Sequence, residues 1–231
     1  MTNSKAYDDR LLALVDVLGW KALINESVRN PTVLAPIQTA IGIIVAGGTS
    51  TARASWSAAQ FGSKYAPDAQ FSHFSDTFVL SVPANPAGIP YITMMVADVC
   101  RSLLEAGLYT RGAVVRGKLV HTTKALYGPA VIEAYDLERT VAKYPRILVT
   151  PEAAASIETL PCVRQDSDGL TFLDVLRHYV LNDGGSRLHA IRLQAEANLE
   201  RHKADLGLVA KHIWLLNYLR SAEHDMQAPV G

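Results

Sequence analysis

The chain is poor in cysteine, with two residues in 231, Cys100 and Cys162, both in apolar surroundings and at no metal-ligand spacing. That excludes a disulfide scaffold and reads as buried free thiols in a reducing compartment. It also lacks a charge excess, because Lys+Arg 22 balance Asp+Glu 22 to a formal net charge of zero. A dedicated duplex-binding protein would be basic, so any phosphate handled here must be met by local groups. No apolar run reaches membrane-spanning length, Ile37 to Ala46 being too short. The first residues, MTNSKAYDDR, are polar and include Asp8 and Asp9, unlike a signal peptide, and a cytoplasmic location is expected. The seven histidines form no HExxH or other ligand spacing, which speaks against zinc. GxSxG, GxxxxGK[ST] and GxGxxG are all missing, so serine-hydrolase, P-loop and Rossmann chemistry lose their usual support.

A hydrophobic content of 49% lets the chain bury a full core without external staples. Strand character over Leu11 to Val17 is followed by helical patterns over Lys21 to Arg29 and Thr32 to about Ala46. The stretch TSTARASWSAAQFGSKYAPDAQ reads as an irregular connection, either a solvated loop or a ligand contact through Arg53, Trp56 or Lys64. Phe71 to Val82 alternates like two short strands meeting at Ser75-Asp76. A helix over Tyr91 to Ala106 precedes a strand over Arg111 to His121, whose two glycines suggest close approach by a ligand or a neighbouring strand. Pro129 opens a further helix to Lys143, then come a short strand at Arg146 to Thr150, a helix from Pro151, a polar loop to Gly169 and a last strand at Leu170 to Val175. Asp183-Gly184-Gly185-Ser186 divides a domain over 1–183 from a C-terminal helical extension over 184–231, expected to pack on the domain or on a second subunit. That extension reads as one long amphipathic helix, kinked near Gly207.

The order strand, helix, helix, strand, strand, helix, strand, helix, strand fits an α+β, ferredoxin-like core with helices on one face of a mostly antiparallel sheet. Asp16 interrupts the apolar first strand just before Leu18-Gly19-Trp20. It either caps the following helix or meets a cation, since a carboxylate there is costly to desolvate unpaired. Asp76, at the predicted hairpin, is either an ordinary turn residue or a site residue. In this topology the first strand and the hairpin are neighbours. Two converging carboxylates repel unless a divalent cation separates them, and magnesium takes one or two carboxylates with water and phosphate oxygens. The basic residues Arg111, Arg116 and Lys118 could meet triphosphate or could protect an edge strand.

VDVLGW (Val15 to Trp20), FSDTFVLS (Phe74 to Ser81), TRGAVVRG (Thr110 to Gly117), LYGPAVIEAYDLE (Leu126 to Glu138) and YPRILV (Tyr144 to Val149) resemble, in order and spacing, the class III nucleotidyl cyclases. The resemblance covers about Leu12 to Val149 and is strongest to the Pycsar branch, which makes cyclic pyrimidine nucleotides for anti-phage defence. It implies a class III cyclase core with a C-terminal helical arm, and a homodimer with active sites at the interface. It further implies two Mg2+ or Mn2+ ions held by Asp16, Asp76 and the Val17 carbonyl, with backbone N–H groups at Leu18, Gly19 and Trp20 cradling the β- and γ-phosphates of UTP or CTP. The product would be a 3′,5′-cyclic monophosphate read by a separate effector. The wider family places an Asn and an Arg one turn apart where this chain has Ile132 and Asp136, so positive charge would come from Arg111, Arg116 or Arg139. A non-catalytic, nucleotide-binding dimerisation module is the alternative that this departure leaves open.

Overall fold

A computed structural model describes residues 6–48, 68–157, 162–177 and 186–227. In chain order these form β1 (Asp8–Val17), α1 (Trp20–Ser27), a 3-10 turn (Pro31–Val33), α2 (Leu34–Gly48), β2 (Gln70–Phe74), β3 (Thr77–Pro83), α3 (Gly88–Glu105) and β4 (Thr110–His121). There follow β5 (Leu126–Tyr127), α4 (Pro129–Thr140), β6 (Ile147–Val149), α5 (Pro151–Ile157), β7 (Val163–Gln165), β8 (Thr171–Leu173), α6 (Ser186–Arg201) and α7 (Leu206–Gln227). The strands lie in the order β2-β3-β1-β4-β6-β8-β7, with β5 paired to β4 off this path. Among the described residues only the β4–β6 pairing is parallel. The first four strands thus have the ferredoxin-like arrangement, with β1 antiparallel between β3 and β4. The chain is α+β with a mostly antiparallel sheet.

β1 reads as a continuous apolar run because both of its faces are covered. Leu11, Ala13, Val15 and Val17 join the core under α2 and α3, while Leu12 and Leu14 pack with Ala130 and Ala134 of α4 on the other face. Helices therefore cover both faces, where the sequence pattern predicts one. α4 is the addition, and its small Ala130 and Ala134 let it lie close on the sheet. Each fully buried Leu, Val or Ile in these layers contributes roughly 1.5–3 kcal/mol. The two strand glycines answer to neighbours and not to a ligand: a Cβ on Gly112 would sit 2.1 Å from the Leu14 carbonyl oxygen, and one on Gly117 would lie 3.2 Å from the Ala130 Cβ. β4 is paired by β1 along one side, but on the other β6 covers only Gly112 to Val114 and β5 only Val120 and His121, so Arg116 and Lys118 lie where that side has no strand partner among the described residues.

The C-terminal segment is two helices, not one kinked helix. Asp205 Oδ1 accepts from the Gly207 and Leu208 N–H groups and caps α7, which ends any continuation from α6. Arg192 pairs with Glu223 and Arg220 with Glu196, so the two helices run antiparallel. Leu188, Ile191, Leu215, Leu216 and Leu219 form a second core with Leu104, Phe172 and Leu176 of the sheet domain. β7, within the stretch read as a loop from Pro161, pairs with β8. Pro31–Gly48 spans 18 residues at mean hydropathy 1.5, longer than the Ile37 to Ala46 run that the sequence suggests and enough to meet the length and composition of a membrane crossing. Only 17% of that window is buried, with Ile37, Ala40 and Ile44 against the sheet domain. Cys100 is buried and its thiol is pushed up to about 12 by that burial, while Cys162 is half-buried; both are free. Arg53, Trp56, Lys64 and the boundary at Asp183-Gly184-Gly185 lie outside the described residues.

Candidate functional site

The site is built where β1 ends. Register places Asp16 opposite Thr77 of β3 on one side and Arg111 of β4 on the other. The Thr77 hydroxyl donates to Asp16 Oδ1 at 3.2 Å, and Arg111 Nε stands 3.5 Å from Asp16 Oδ2. Arg111 Nη2 in turn lies 2.6 Å from Glu138 Oε1, brought in by the sheet-facing side of α4. Neither Arg111 Nε nor Glu138 Oε1 is aligned for a hydrogen bond, so both are buried polar atoms held by charge alone. Asp76 follows Ser75, which takes the left-handed conformation (φ 55) that the two-residue turn between β2 and β3 requires. Asp16, Asp76 and Arg111 border a cleft of about 510 Å³, lined also by Val17, Leu18, Gly19, Trp20, Lys21 and Lys211.

The Asp16 carboxyl is pushed up to about 6, by burial first and then by the negative charges of Asp76 and Glu138. Arg111 and the Thr77 hydroxyl oppose the rise without cancelling it. The cleft lining carries both signs of charge, Asp16 and Asp76 with Arg111, Lys21 and Lys211. Gly19, at φ 81, precedes α1 and provides no side-chain cap. Asp16 is engaged by Thr77 and Arg111, so the helix-capping role open to it in the sequence is not taken. The first N–H groups of α1 are left for an anion. Leu18 is different: its N–H donates to the Tyr109 carbonyl at 2.8 Å, which removes it from the expected phosphate cradle. Trp20 lies in the cleft wall, but its side chain is core, 6% exposed, so only its backbone could serve.

Arg111 is the one arginine of the expected three that the fold brings to the cleft. Arg116 sits opposite Leu11 in the register, so it lies five residues along β4 on the other face of the sheet, bound to Asp9 at 3.0 Å and to Ser156. Arg139 is exposed on the outer side of α4. Three contributors escape local sequence reading: Glu138 as the holder of Arg111, Thr77 as a donor to Asp16, and Lys211 from the C-terminal hairpin. Thr77 could be found from the hairpin register, but no motif marks Lys211.

Among the described residues no group of three or more His, Cys, Asp or Glu gathers around one point. Two carboxylates and the Val17 carbonyl are hard oxygen donors, and this set suits Mg2+ or Mn2+ completed by water and phosphate oxygens. Burial and the neighbouring Asp76 and Glu138 charges disfavour the ionised Asp16 carboxylate, and a bound cation would relieve both costs.

No protein-family model matches the chain, and no curated protein matches it. Among solved structures it is similar to the monomeric guanylyl cyclase domain of the RhoGC fusion protein from the aquatic fungus Blastocladiella emersonii, at 12% identity and TM-score 0.47, over 73% of this chain and 96% of that one. A bacterial light-regulated adenylyl cyclase is similar at 13% identity and TM-score 0.47, over 76% of this chain and 53% of that one. A rhodopsin-guanylyl cyclase catalytic core with converted specificity, in complex with ATPαS, is similar at 14% identity and TM-score 0.45, over 74% of this chain and 97% of that one.

Proposed function

We propose that this protein is a nucleotidyl cyclase that converts UTP or CTP to the 3′,5′-cyclic monophosphate and pyrophosphate, a second messenger for a separate effector in anti-phage defence. The observation that carries the cyclase reading is that Asp16 and Asp76 line one cleft together with the uncapped start of α1. The pyrimidine and the defence role rest on the sequence resemblance. Two Mg2+ or Mn2+ ions, held by Asp16, Asp76 and the Val17 carbonyl, would acidify the ribose 3′-hydroxyl and neutralise the departing pyrophosphate. In the reaction the 3′-oxygen bonds to the α-phosphorus as its proton passes to solvent water, and the α–β bridging bond breaks with its electron pair on pyrophosphate. Such a transfer asks for positioning and charge, not for a protein nucleophile. Gly19 and Trp20 N–H groups hold the β- and γ-phosphates at the start of α1. Arg111, oriented by Glu138, places a fixed positive charge beside the carboxylates. Arg116, ion-paired on the far face, is left out of the machinery.

A homodimer completes this reading. Phe74 beside the hairpin tip is 86% exposed, and Ile132 and Tyr135 on the outer side of α4 are 65% and 54% exposed. Apolar surface of that kind marks an interaction face. Arg139 shares the helical face of Ile132 and Tyr135, so it would act on the cleft of a second copy.

The test is incubation of purified protein and Mn2+ with each of the four labelled triphosphates, followed by chromatography. One pyrimidine triphosphate should yield a cyclic product and pyrophosphate, and Asp16→Ala and Asp76→Ala should each abolish it. The second reading, a nucleotide-binding module without turnover, draws on Ile132 and Asp136, both exposed and neither lining the cleft. Tight nucleotide binding with no product from any triphosphate would establish it instead.

A further inference from the structure

The C-terminal hairpin lies outside every stretch that resembles a cyclase, yet α7 puts a cation into the cleft. Lys211 lines the same cavity as Asp16, Asp76, Gly19 and Arg111. Its backbone is fixed on three sides. Asp205 caps the start of α7, six residues before Lys211. The adjacent His212 ring stands edge-on to Tyr109 with centroids 5.4 Å apart, and Tyr109 is the residue whose carbonyl holds the Leu18 N–H. Further along, Trp214 Nε1 donates to Asp166 at 2.6 Å and the buried Tyr218 hydroxyl donates to Asp174 at 2.6 Å, tying α7 to the sheet domain. Arg146 reaches the same Asp166 and lies 5.4 and 5.7 Å from the Tyr144 and Trp214 ring centroids, beside the stacked pair.

The charges of the cleft are unevenly committed. Arg111 is taken up by Asp16 and Glu138. Lys21 and Lys211 enter no ion pair among the described residues; Lys21 is exposed on α1, whereas Lys211 is half-buried on α7. A flexible ammonium held at the mouth of an anion-binding cleft, with no carboxylate of its own, suits a phosphate oxygen as a point charge. We propose that Lys211, supplied in cis by the C-terminal hairpin, binds the polyphosphate of the substrate, so that the hairpin forms a wall of the active cleft and is not solely a packing arm. The proposal rests on the nucleotide-site reading above for its choice of ligand.

The experiment uses the full chain and magnesium tripolyphosphate, a ligand with neither base nor ribose, titrated by calorimetry. Loss of one charge-assisted contact should weaken binding by about tenfold in Lys211→Gln. Lys211→Arg should recover most of it. Lys203→Gln, which removes an exposed lysine paired to Glu200 in the same hairpin, should bind like wild type. In turnover assays Lys211→Gln should raise KM more than it lowers kcat, a split that general loosening of α7 would not give. Wild-type tripolyphosphate affinity in Lys211→Gln, or failure of the wild-type protein to bind tripolyphosphate, overturns the proposal. If wild type binds tripolyphosphate, Lys211→Gln does not, and no triphosphate is turned over, the cyclase reading falls while the assignment of Lys211 stands. Should Lys211→Gln not fold, tripolyphosphate protection of α7 from amide hydrogen exchange in wild type and Lys211→Arg decides the question, and absence of protection overturns it.

Discussion

Asp16 is held in tension by its surroundings. Burial and the neighbouring charges of Asp76 and Glu138 raise its carboxyl to about 6, so the folded state keeps this proton more tightly than the unfolded chain does. The stability it contributes is therefore fully present at low pH and is lost as pH rises from the ordinary carboxylate range through about 6. Divalent metal would reverse the penalty by giving the ionised form a partner. In chelator, wild-type thermal stability should be more favourable at about pH 5 than at about pH 8 on account of this group, and Asp16→Asn should remove that part of the decline. Mn2+ should raise the wild-type Tm at the higher pH and leave Asp16→Asn nearly unmoved. A variant less stable than wild type at the higher pH in chelator would contradict the assignment.

Between elements, the hairpin that carries Asp76 is tied to the rest of the sheet by one buried polar network. His121 of β4 bridges Ser81 of β3 through Nδ1 at 2.8 Å and Ser72 of β2 through Nε2 at 2.9 Å. Arg10 of β1 donates to Ser81 Oγ at 3.1 Å and to Asp68 at 3.0 Å. Burial, aided by the Arg10 charge and opposed by Asp68, lowers the imidazole to about 4. A histidine kept neutral contributes stability that is present above its unfolded value near 6.5 and is lost as pH falls toward about 4, opposite in direction to Asp16. In an Asp16→Asn background, which isolates the effect, His121→Gln should make the acid-side loss of stability shallower; an unchanged slope would show that the network does not titrate. The network joins residues from four strands and could not be read from any one of them. What could be read was local: the alternation either side of Ser75-Asp76, Pro129 at a helix start, and the strand order that sets Asp16 beside the hairpin. The chain hid pairings made at long range, such as the Leu18 N–H taken by Tyr109, the Asp205 cap that splits the last helix, and Lys211. The 3.6-residue stripe through Leu199, His202 and Leu206 runs on through the turn, because apolar spacing does not register a reversal that a capping Asp imposes.

At the scale of the whole molecule, a net charge of zero offers no long-range attraction for a polyanion or for a second copy. Association of two copies, as proposed, would then be driven by apolar surface, which the exposed Ile132 and Tyr135 of α4 and Phe74 of the hairpin offer. Ile132→Asp places a charge on that face without touching the core, because Ile132 is 65% exposed. Sedimentation should show wild type as a dimer and Ile132→Asp shifted toward monomer, with its Kd raised by about tenfold or more. Turnover in the variant should fall and then recover as protein concentration is raised, as expected when the active unit is the dimer. Tripolyphosphate affinity should stay near wild type at every concentration, because Gly19, Asp16, Asp76 and Lys211 all belong to one chain. The two measurements therefore separate what one copy binds from what two copies catalyse. A monomeric Ile132→Asp with undiminished turnover would place the complete reaction centre within a single chain, and Arg111 would then have to supply alone the charge that Arg139 is assigned across the interface.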